Sequence, residues 1–586
     1  MALPMYQSSS SAYQAGIAVL APYLDVRSLN ALCQVNRHFN RIFCAVLWEN
    51  PAKYIAQTDS NPFTKFNELH TLRTPEKCKQ LIKYIDFRPL SALMHNPKHF
   101  SDHAASSITL SCERIFQQLH HLDNVEFLIL DSLVSQPWGF SVDLSQDSGA
   151  MILVLSIVDT DLRDLHYVLK SPRYAELVFL DISGTEHDAV KQLEHLAFPN
   201  LRIVKLCRLG LTAIPNFVLR CAPRLWSLDL SSNLLGDEQI RRLLRTCLRH
   251  DSSQQDPLVY PVLDSALYES PPSYLPPRMS VPHPSSSPYR PDNVDLVTKH
   301  LVEHGSKDSH AMYIESGLTN LYLSNNKLTS EIVPDLLTSC DRLHVLDLCT
   351  VRMADKNTPA VMGLPPATLW HTGSVPLTAP SSLAQLRIHH SFITRMPTIT
   401  LGPGTSYPGS LVEAAELFGR GAVSAYDPLS NYRLVRLGLT GLPTTSHGPL
   451  IAKLLDLLRR LAAQEQNLRD AGAGGARHYR AAPLLSGLRV LTLEFVPERT
   501  GREGRSVTGD RDVELSLERA AGDFSFFGAE EDAAGPRGEG RGEAQMGKPA
   551  RDARGRRDVM AALKHFRRTE LPRWSGTVQV AIPSGP

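Results

Sequence analysis

One eleven-residue pattern occurs twice in this chain and limits what it can become. Leu225, Leu228, Leu230, Asn233 and Leu235 spell L-x-x-L-x-L-x-x-N-x-L, and Leu318, Leu321, Leu323, Asn326 and Leu328 spell it again without a departure. Looser copies begin at Val125 (Leu128, Leu130), Ala150 (Leu153, Leu155), Leu177 (Leu180, Ile182), Leu201 (Val204, Leu206), Leu343 (Leu346, Leu348), Leu383 (Leu386, Ile388), Leu434 (Leu437, Leu439) and Leu488 (Leu491, Leu493). The starts at 125, 150, 177, 201 and 225 lie 25, 27, 24 and 24 residues apart, and 318 to 343 is another 25. A unit of this size cannot bury its apolar side alone and must stack on its neighbours. Apolar alternation within each copy makes one face of a short strand. The Asn amide at the bend answers main-chain groups left where the chain leaves the sheet. Beyond the strand, Ile240, Leu243, Leu244 and Cys247, and again Ile332, Val333, Leu336 and Leu337, recur at intervals that mark a helix. Strand followed by helix, repeated, predicts an α/β solenoid with a parallel concave sheet and helices on the convex side.

The pattern and period resemble leucine-rich repeats. Cys221 and Cys340 stand a few residues before Leu225 and Leu343, as in the cysteine-containing class of that repeat, and read as small buried residues at a helix-to-strand corner. The repeat stops between Asp251 and Asp292, where Pro-rich and Ser-rich composition predicts a disordered insert; one or two degenerate repeats are expected in the 93 residues from 225 to 318. Further loops are expected at 357–381 and 401–430. Residues 498–557, rich in Gly, Arg and Glu, read as an unstructured spacer, and 558–586 as a closing helix-strand unit. The predicted organisation is therefore a disordered start (1–12), N-terminal helices (13–50), a helical connection (51–120), repeats (121–250), the insert (251–292), repeats with loop insertions (293–497), the spacer and the last unit.

In the N-terminal segment Leu29, Leu32, Val35, Phe39, Ile42 and Phe43 fall at helical spacing, preceded by Asp25 and Ser28 as cap candidates, with Ile17, Leu20, Tyr23 and Leu24 before them and Leu47-Trp48 after. The run from Tyr23 to Ile42 (YLDVRSLNALCQVNRHFNRI), closed by Leu47-Trp48, resembles an F-box. It differs at the opening Leu-Pro, which would fall at Ala12-Tyr13, at Asn36 where a cysteine is usual, and in carrying Pro22. Together with the repeats, the chain resembles the F-box and leucine-rich-repeat proteins, in particular the divergent fungal type. That resemblance implies a substrate receptor of a cullin-RING ubiquitin ligase: the F-box docks on the linker subunit, and the repeats hold a protein substrate. It assigns linker-subunit contacts to Leu24, Leu29, Leu32, Val35, Phe39 and Trp48. Two other readings stand beside it: helices that merely cap the solenoid, and a leucine-rich-repeat scaffold or small-GTPase regulator with no ubiquitin role.

Composition excludes several classes. With 61 basic and 60 acidic side chains in 586 residues, the net charge of +1 supplies no field for nucleic acid or a membrane surface. Nine scattered cysteines contain no C-x-x-C pair, which speaks against disulfide and zinc frameworks and for a reducing, cytoplasmic or nuclear setting. The run Met151–Val158 is far too short to cross a bilayer, and no Lys or Arg precedes the apolar Ala15–Leu24 as a signal peptide would need. Phosphate-loop, nucleophile-elbow, zinc-protease and kinase motifs are absent, so an enzyme, a cofactor or a metal is not expected. His389-His390 near His371 lack acidic or thiol companions at ligand spacing, and the Arg551–Arg557 run reads as solvated spacer.

The substrate surface follows from strand alternation. In L-x-x-L-x-L the residues on either side of the middle leucine, and the one after the third leucine, face away from the core, onto the concave side. That rule places Phe179, Asp181, Lys205, Ser227, Asp229, Tyr322, Ser324, Asp347, Arg387, His389 and Arg436 there, with Phe179 and Tyr322 as aromatic anchors.

Overall fold

The computed structural model describes residues 20–52, 75–89, 91, 122–132, 149–160, 165–185, 187–248, 292–299, 301–302, 318–329, 331–339, 343–349, 383–394, 433–446, 448–474, 487–496 and 557–581. They fall into two units. Unit 1 takes the chain up to Asn233 and includes 290–318; unit 2 includes 234–248 and 319–586.

Unit 1 is built on parallel strands β1 (Tyr84–Asp86), β2 (Phe127–Ile129), β3 (Val154–Ser156), β4 (Phe179–Asp181), β5 (Ile203–Lys205) and β6 (Ser227–Asp229), neighbours in chain order. Unit 2 continues the scheme with β7 (Asn320–Tyr322), β8 (Val345–Leu348), β9 (Gln385–His389) and β10 (Arg436–Pro443). After these come β11 (Thr445–Ser446), β12 (Val490–Val496), β13 (Arg557–Asp558) and β14 (Thr577–Ala581). Its parallel order is β7, β8, β9, β10, β12, β14, while β11 and β13 form a separate antiparallel pair. The register sets the middle leucine of each repeat beside the next. Leu128, Leu155, Leu180, Val204 and Leu228 make one row, and Leu321, Leu346, Leu386, Leu437, Leu491 and Val578 make the other. Every member of both rows is buried, so within each unit successive repeats share one core. The helices Asn216–Cys221, Asp237–Leu248 and Ile332–Ser339 follow their strands, and the apolar stripe Ile240, Leu243, Leu244 and its counterpart Ile332, Val333, Leu336, Leu337 are buried. The fold is thus α/β with parallel strands and intervening helices.

Several expectations change in detail. The sheet begins inside 51–120, at β1, because Ile82-x-x-Ile85-x-Phe87 is a first copy with isoleucine and phenylalanine in the leucine places, all buried. The copy expected from Ala150 starts at Ile152: pairing of Leu155 with Leu180 makes Leu155 the middle residue, two positions later than the spacing of leucines suggested. Among the described residues no strand lies between β6 and β7. Arg557 is the first residue of β13 and not the last of a spacer. The insert at 251–291, the loops at 357–381 and 401–430 and the spacer at 498–556 lie outside the described residues. Also among those described, no helix is long and apolar enough to cross a membrane.

The bend after each strand follows one plan. Its eighth position is left-handed in six repeats: Ser132, Asp159, Gly184, Arg208, Ser232 and Asn325, with φ between 51° and 69°. The ninth holds the group that pins the turn. Asn233 donates from Nδ2 to the carbonyls of Leu206 (2.7 Å) and Leu230 (2.9 Å), and its Oδ1 accepts from the amides of Leu209 (3.1 Å) and Leu211 (3.0 Å). Asn326 repeats this in unit 2, donating to Leu323 (3.0 Å) and accepting from the Leu235 amide (3.1 Å). Thr160 and Thr185 occupy the same position in earlier repeats. Thr160 donates to the Leu130 carbonyl (3.0 Å), as Asn233 does to Leu206, and Thr185 donates to Ile182 (2.8 Å).

At the N-terminus a 3-10 turn (Ala21–Tyr23), in which Pro22 sits, leads into helices Val26–Val35 and Arg37–Glu49. Asp25 caps the first by accepting from the Ser28 amide (2.7 Å), and Asn36 caps the second by accepting from Phe39 (2.8 Å). Ala21, Leu29 and Phe43 form the buried centre, with Phe39 edge-on to Phe43 at 5.6 Å. The Lys83 amide, just before β1, donates to the carbonyl of Glu49 at 3.1 Å and ties this cluster to the sheet.

Candidate interaction surfaces

On the sheet face of unit 1 that points away from the row of middle leucines, the third position of successive repeats is apolar: Tyr84, Phe127, Val154, Phe179 and Ile203, ending at Ser227. Tyr84 stacks on Phe127 with ring centres 4.5 Å apart. This stripe is covered. The helical residues 294–299 and 301–302 lie on it, with Val297 and Leu301 buried in one cluster with Phe127, Val154, Phe179, Ile203 and Trp226. Polar contacts fix both sides of the helix. Asp295 accepts from Arg88 (Nη2 to Oδ1, 2.5 Å; Nη1 to Oδ2, 3.2 Å), and Asp292 accepts from the Ser227 hydroxyl at 3.1 Å. Arg88 is itself held by Asp86, from Nε (3.0 Å) and Nη2 (2.7 Å).

Phe179, expected as an exposed anchor, is therefore fully buried. Alternation correctly turns it away from the row of middle leucines, but a second element covers the face to which it points. Ser227, also expected to be exposed, is buried, as is Ser324 in unit 2.

The fifth-position aspartates do structural work at the strand ends. Asp181 accepts from the Ser183 amide (3.0 Å), Asp229 from Ser231 (3.0 Å) and Asp347 from Cys349 (3.1 Å), one i to i+2 turn repeated in three repeats. Burial pushes the Asp181 carboxyl up to about 6, against the Ser183 hydrogen bonds and the charge of Lys205. Lys205 is half-buried, its ammonium 5.7 Å from the centre of the Phe179 ring.

The corresponding sheet face of unit 2 mixes Val345 and Val490 with polar side chains, several of which pair with one another. Arg387 donates to Asp347 (Nη1 to Oδ2, 2.7 Å) and forks onto Glu494 (Nε to Oε1, 2.6 Å; Nη2 to Oε2, 2.7 Å). Burial still pushes the Asp347 carboxyl up despite the guanidinium beside it. His389 is buried, its Nδ1 sharing a 2.8 Å hydrogen bond with the Ser391 hydroxyl, and its ring lies 4.6 Å from His390, whose Nδ1 meets the Thr394 hydroxyl at 2.9 Å. These imidazoles are core residues. Among the described residues no group of three or more His, Cys, Asp or Glu is placed to hold a metal ion, and His371 lies outside them. Of the expected concave set, Arg436 is exposed, while Asp181, Lys205, Asp229, Tyr322, Asp347 and Arg387 are half-buried.

In the N-terminal cluster the residues assigned by resemblance divide. Leu29 is buried at its centre; Leu24, Leu32, Phe39 and Trp48 are half-buried; Val35 is 59% exposed. Tyr23 (85%) and Leu20 (59%) are also exposed, so three sizeable apolar groups of this small cluster face outward.

Sequence reasoning missed the covering helix, Arg88 and Glu494. The helix had a signal, since Val294, Val297 and Leu301 stand at spacings of three and four directly after the Pro-rich segment. Arg88 belongs to the copy at Ile82, which the leucine spacing does not mark, and Glu494 stands at a seventh position that alternation turns the same way as Ser324 and His389 but that carries no residue-type signal of its own. No protein-family model matches this chain, and no curated protein matches it significantly.

Proposed function

We propose that this chain is a substrate-recruiting adaptor: its N-terminal helices dock on the linker subunit of a cullin-RING ubiquitin ligase, and its repeats hold a protein substrate near the conjugating enzyme. Proximity then does the catalytic work. One observation carries the reading: Leu20, Tyr23 and Val35 are exposed on a cluster centred on Ala21, Leu29 and Phe43, and none of the three is among the side chains that pack against that centre. Apolar groups left exposed beside a packed cluster are what a helical partner would cover. Val35 closes the first helix in the stretch that resembles an F-box, so it is the residue we assign to the linker contact. Leu29 is withdrawn from that role, because a change there would unfold the cluster whatever it binds. The test is a pull-down of the full chain from cell extract, analysed for cullin and linker subunits, with Val35→Asp alongside. Recovery of both by the wild type and neither by the variant supports the adaptor; absence of both from a folded wild type leaves the scaffold reading in its place.

A further inference from the structure

We propose that the sheet face of unit 1 that points away from the middle leucines is a receptor groove for an amphipathic helix of a partner protein, and that residues 294–302 of this chain occupy it as a built-in competitor. The partner segment would carry a carboxylate, then an aliphatic residue two positions on and another four beyond that, as Asp295, Val297 and Leu301 do here.

Three observations carry this. The first is that the repeat itself does not ask for an apolar stripe. In unit 2 the third positions are Asn320, Val345, Gln385, Arg436, Val490 and Thr577, whereas unit 1 places Tyr84, Phe127, Val154, Phe179 and Ile203 in the same row. Four of those five are fully buried, in one cluster with Val297 and Leu301 of the helix that lies on them. The second is the manner of attachment. Side chains seat the helix: Val297 and Leu301 are buried against the stripe with Val294 beside them, Asp295 lies on Arg88, and Asp292 accepts from Ser227. These are the kinds of contact that a second helix carrying the same groups could make in its place. A longer partner helix with the same groups, and more beyond them, would compete directly. The third is charge. Arg88 already has Asp86, yet it also takes a bidentate carboxylate from the helix, which gives the groove a preference for an acidic residue at one end and fixes the direction of the bound helix.

This inference goes beyond the adaptor reading and does not rest on it, since its test contains no ligase component. The probe is a fluorescent synthetic peptide of residues 290–304, titrated into the full chain and into Val297→Asp/Leu301→Asp, in which the internal helix should leave the groove. The variant should bind the peptide at least tenfold more tightly than the wild type, and adding Arg88→Glu should remove at least tenfold of that affinity. Equal or absent binding by a variant whose thermal melt shows unit 1 folded overturns the proposal. If that variant does not fold, hydrogen exchange on the wild type decides. The Val297 amide should exchange at least a hundredfold faster than those of Leu180 and Val204; equal protection makes the helix a permanent part of the core and overturns the competitor. A wild-type dimer that Leu301→Asp dissolves assigns the groove to a second copy and overturns the foreign partner.

Discussion

Arg387 on β9 grips Glu494 on β12 by passing over Gly438 of the intervening β10. A Cβ on Gly438 would stand 3.1 Å from Cγ of Arg387, closer than a comfortable contact, so a glycine there clears the path for the guanidinium. The same device appears in unit 1, where Arg208 reaches Asp159 (2.8 and 2.9 Å) over Gly184 of the repeat between them. Gly438→Val should therefore break the fork onto Glu494 and strand a carboxylate that is only 13% exposed. The expected loss is about 2 to 3 kcal/mol in unit 2, below the cost of a fully buried pair because Arg387 retains some solvent and Asp347. Urea denaturation measures it. Arg208→Ala, at a pair about half exposed on both sides, should change the midpoint little by comparison.

The turn-pinning amides make a second prediction. Asn233→Ala removes the acceptor of the Leu209 and Leu211 amides, both in a buried setting, and should cost about 2 to 3 kcal/mol. Hydrogen exchange at those two amides should accelerate selectively. Thr185→Val, which loses only a donor to the Ile182 carbonyl, should cost about 1 kcal/mol.

How far the sequence reaches is visible in these same positions. The leucine rows were legible because every repeat must bury them, and the Asn positions because Asn233 and Asn326 each serve two sides of a bend. Thr160 and Thr185 were not, since there a hydroxyl that donates to a strand-end carbonyl stands in for the amide, and a lone threonine makes no recognisable motif. The register at Ile152 was misread for a similar reason: Leu153 and Leu155 both look like core residues, and only pairing with Leu180 separates them. Phe179 marks the deeper limit. Alternation tells which side of a strand a residue faces, and nothing within the repeat tells whether a helix more than one hundred residues later will cover that side.

Asp181 makes stability depend on pH. Its folded carboxyl titrates at about 6, above the roughly 3.9 of an unfolded chain. The folded state therefore holds a proton that the unfolded state has released between those values, and stability falls as pH rises from about 4 to 6, then levels. Asp181→Asn keeps an acceptor for the Ser183 amide and has no charge to bury. Its stability relative to wild type should grow by on the order of 2 kcal/mol across that window and stay constant above it. A variant advantage that is the same at pH 4 and pH 7 would show that burial of the charge is not the cause.

The adaptor reading is tested most directly by titrating the purified full chain with a purified cullin-RING linker subunit in a calorimeter. The account expects a one-to-one complex for the wild type and loss of binding by at least tenfold for Val35→Asp, whose melting temperature should be unchanged because that side chain lies outside the Ala21, Leu29 and Phe43 core. No heat of binding from a wild-type chain with the N-terminal helices folded, or equal binding by Val35→Asp, would contradict it.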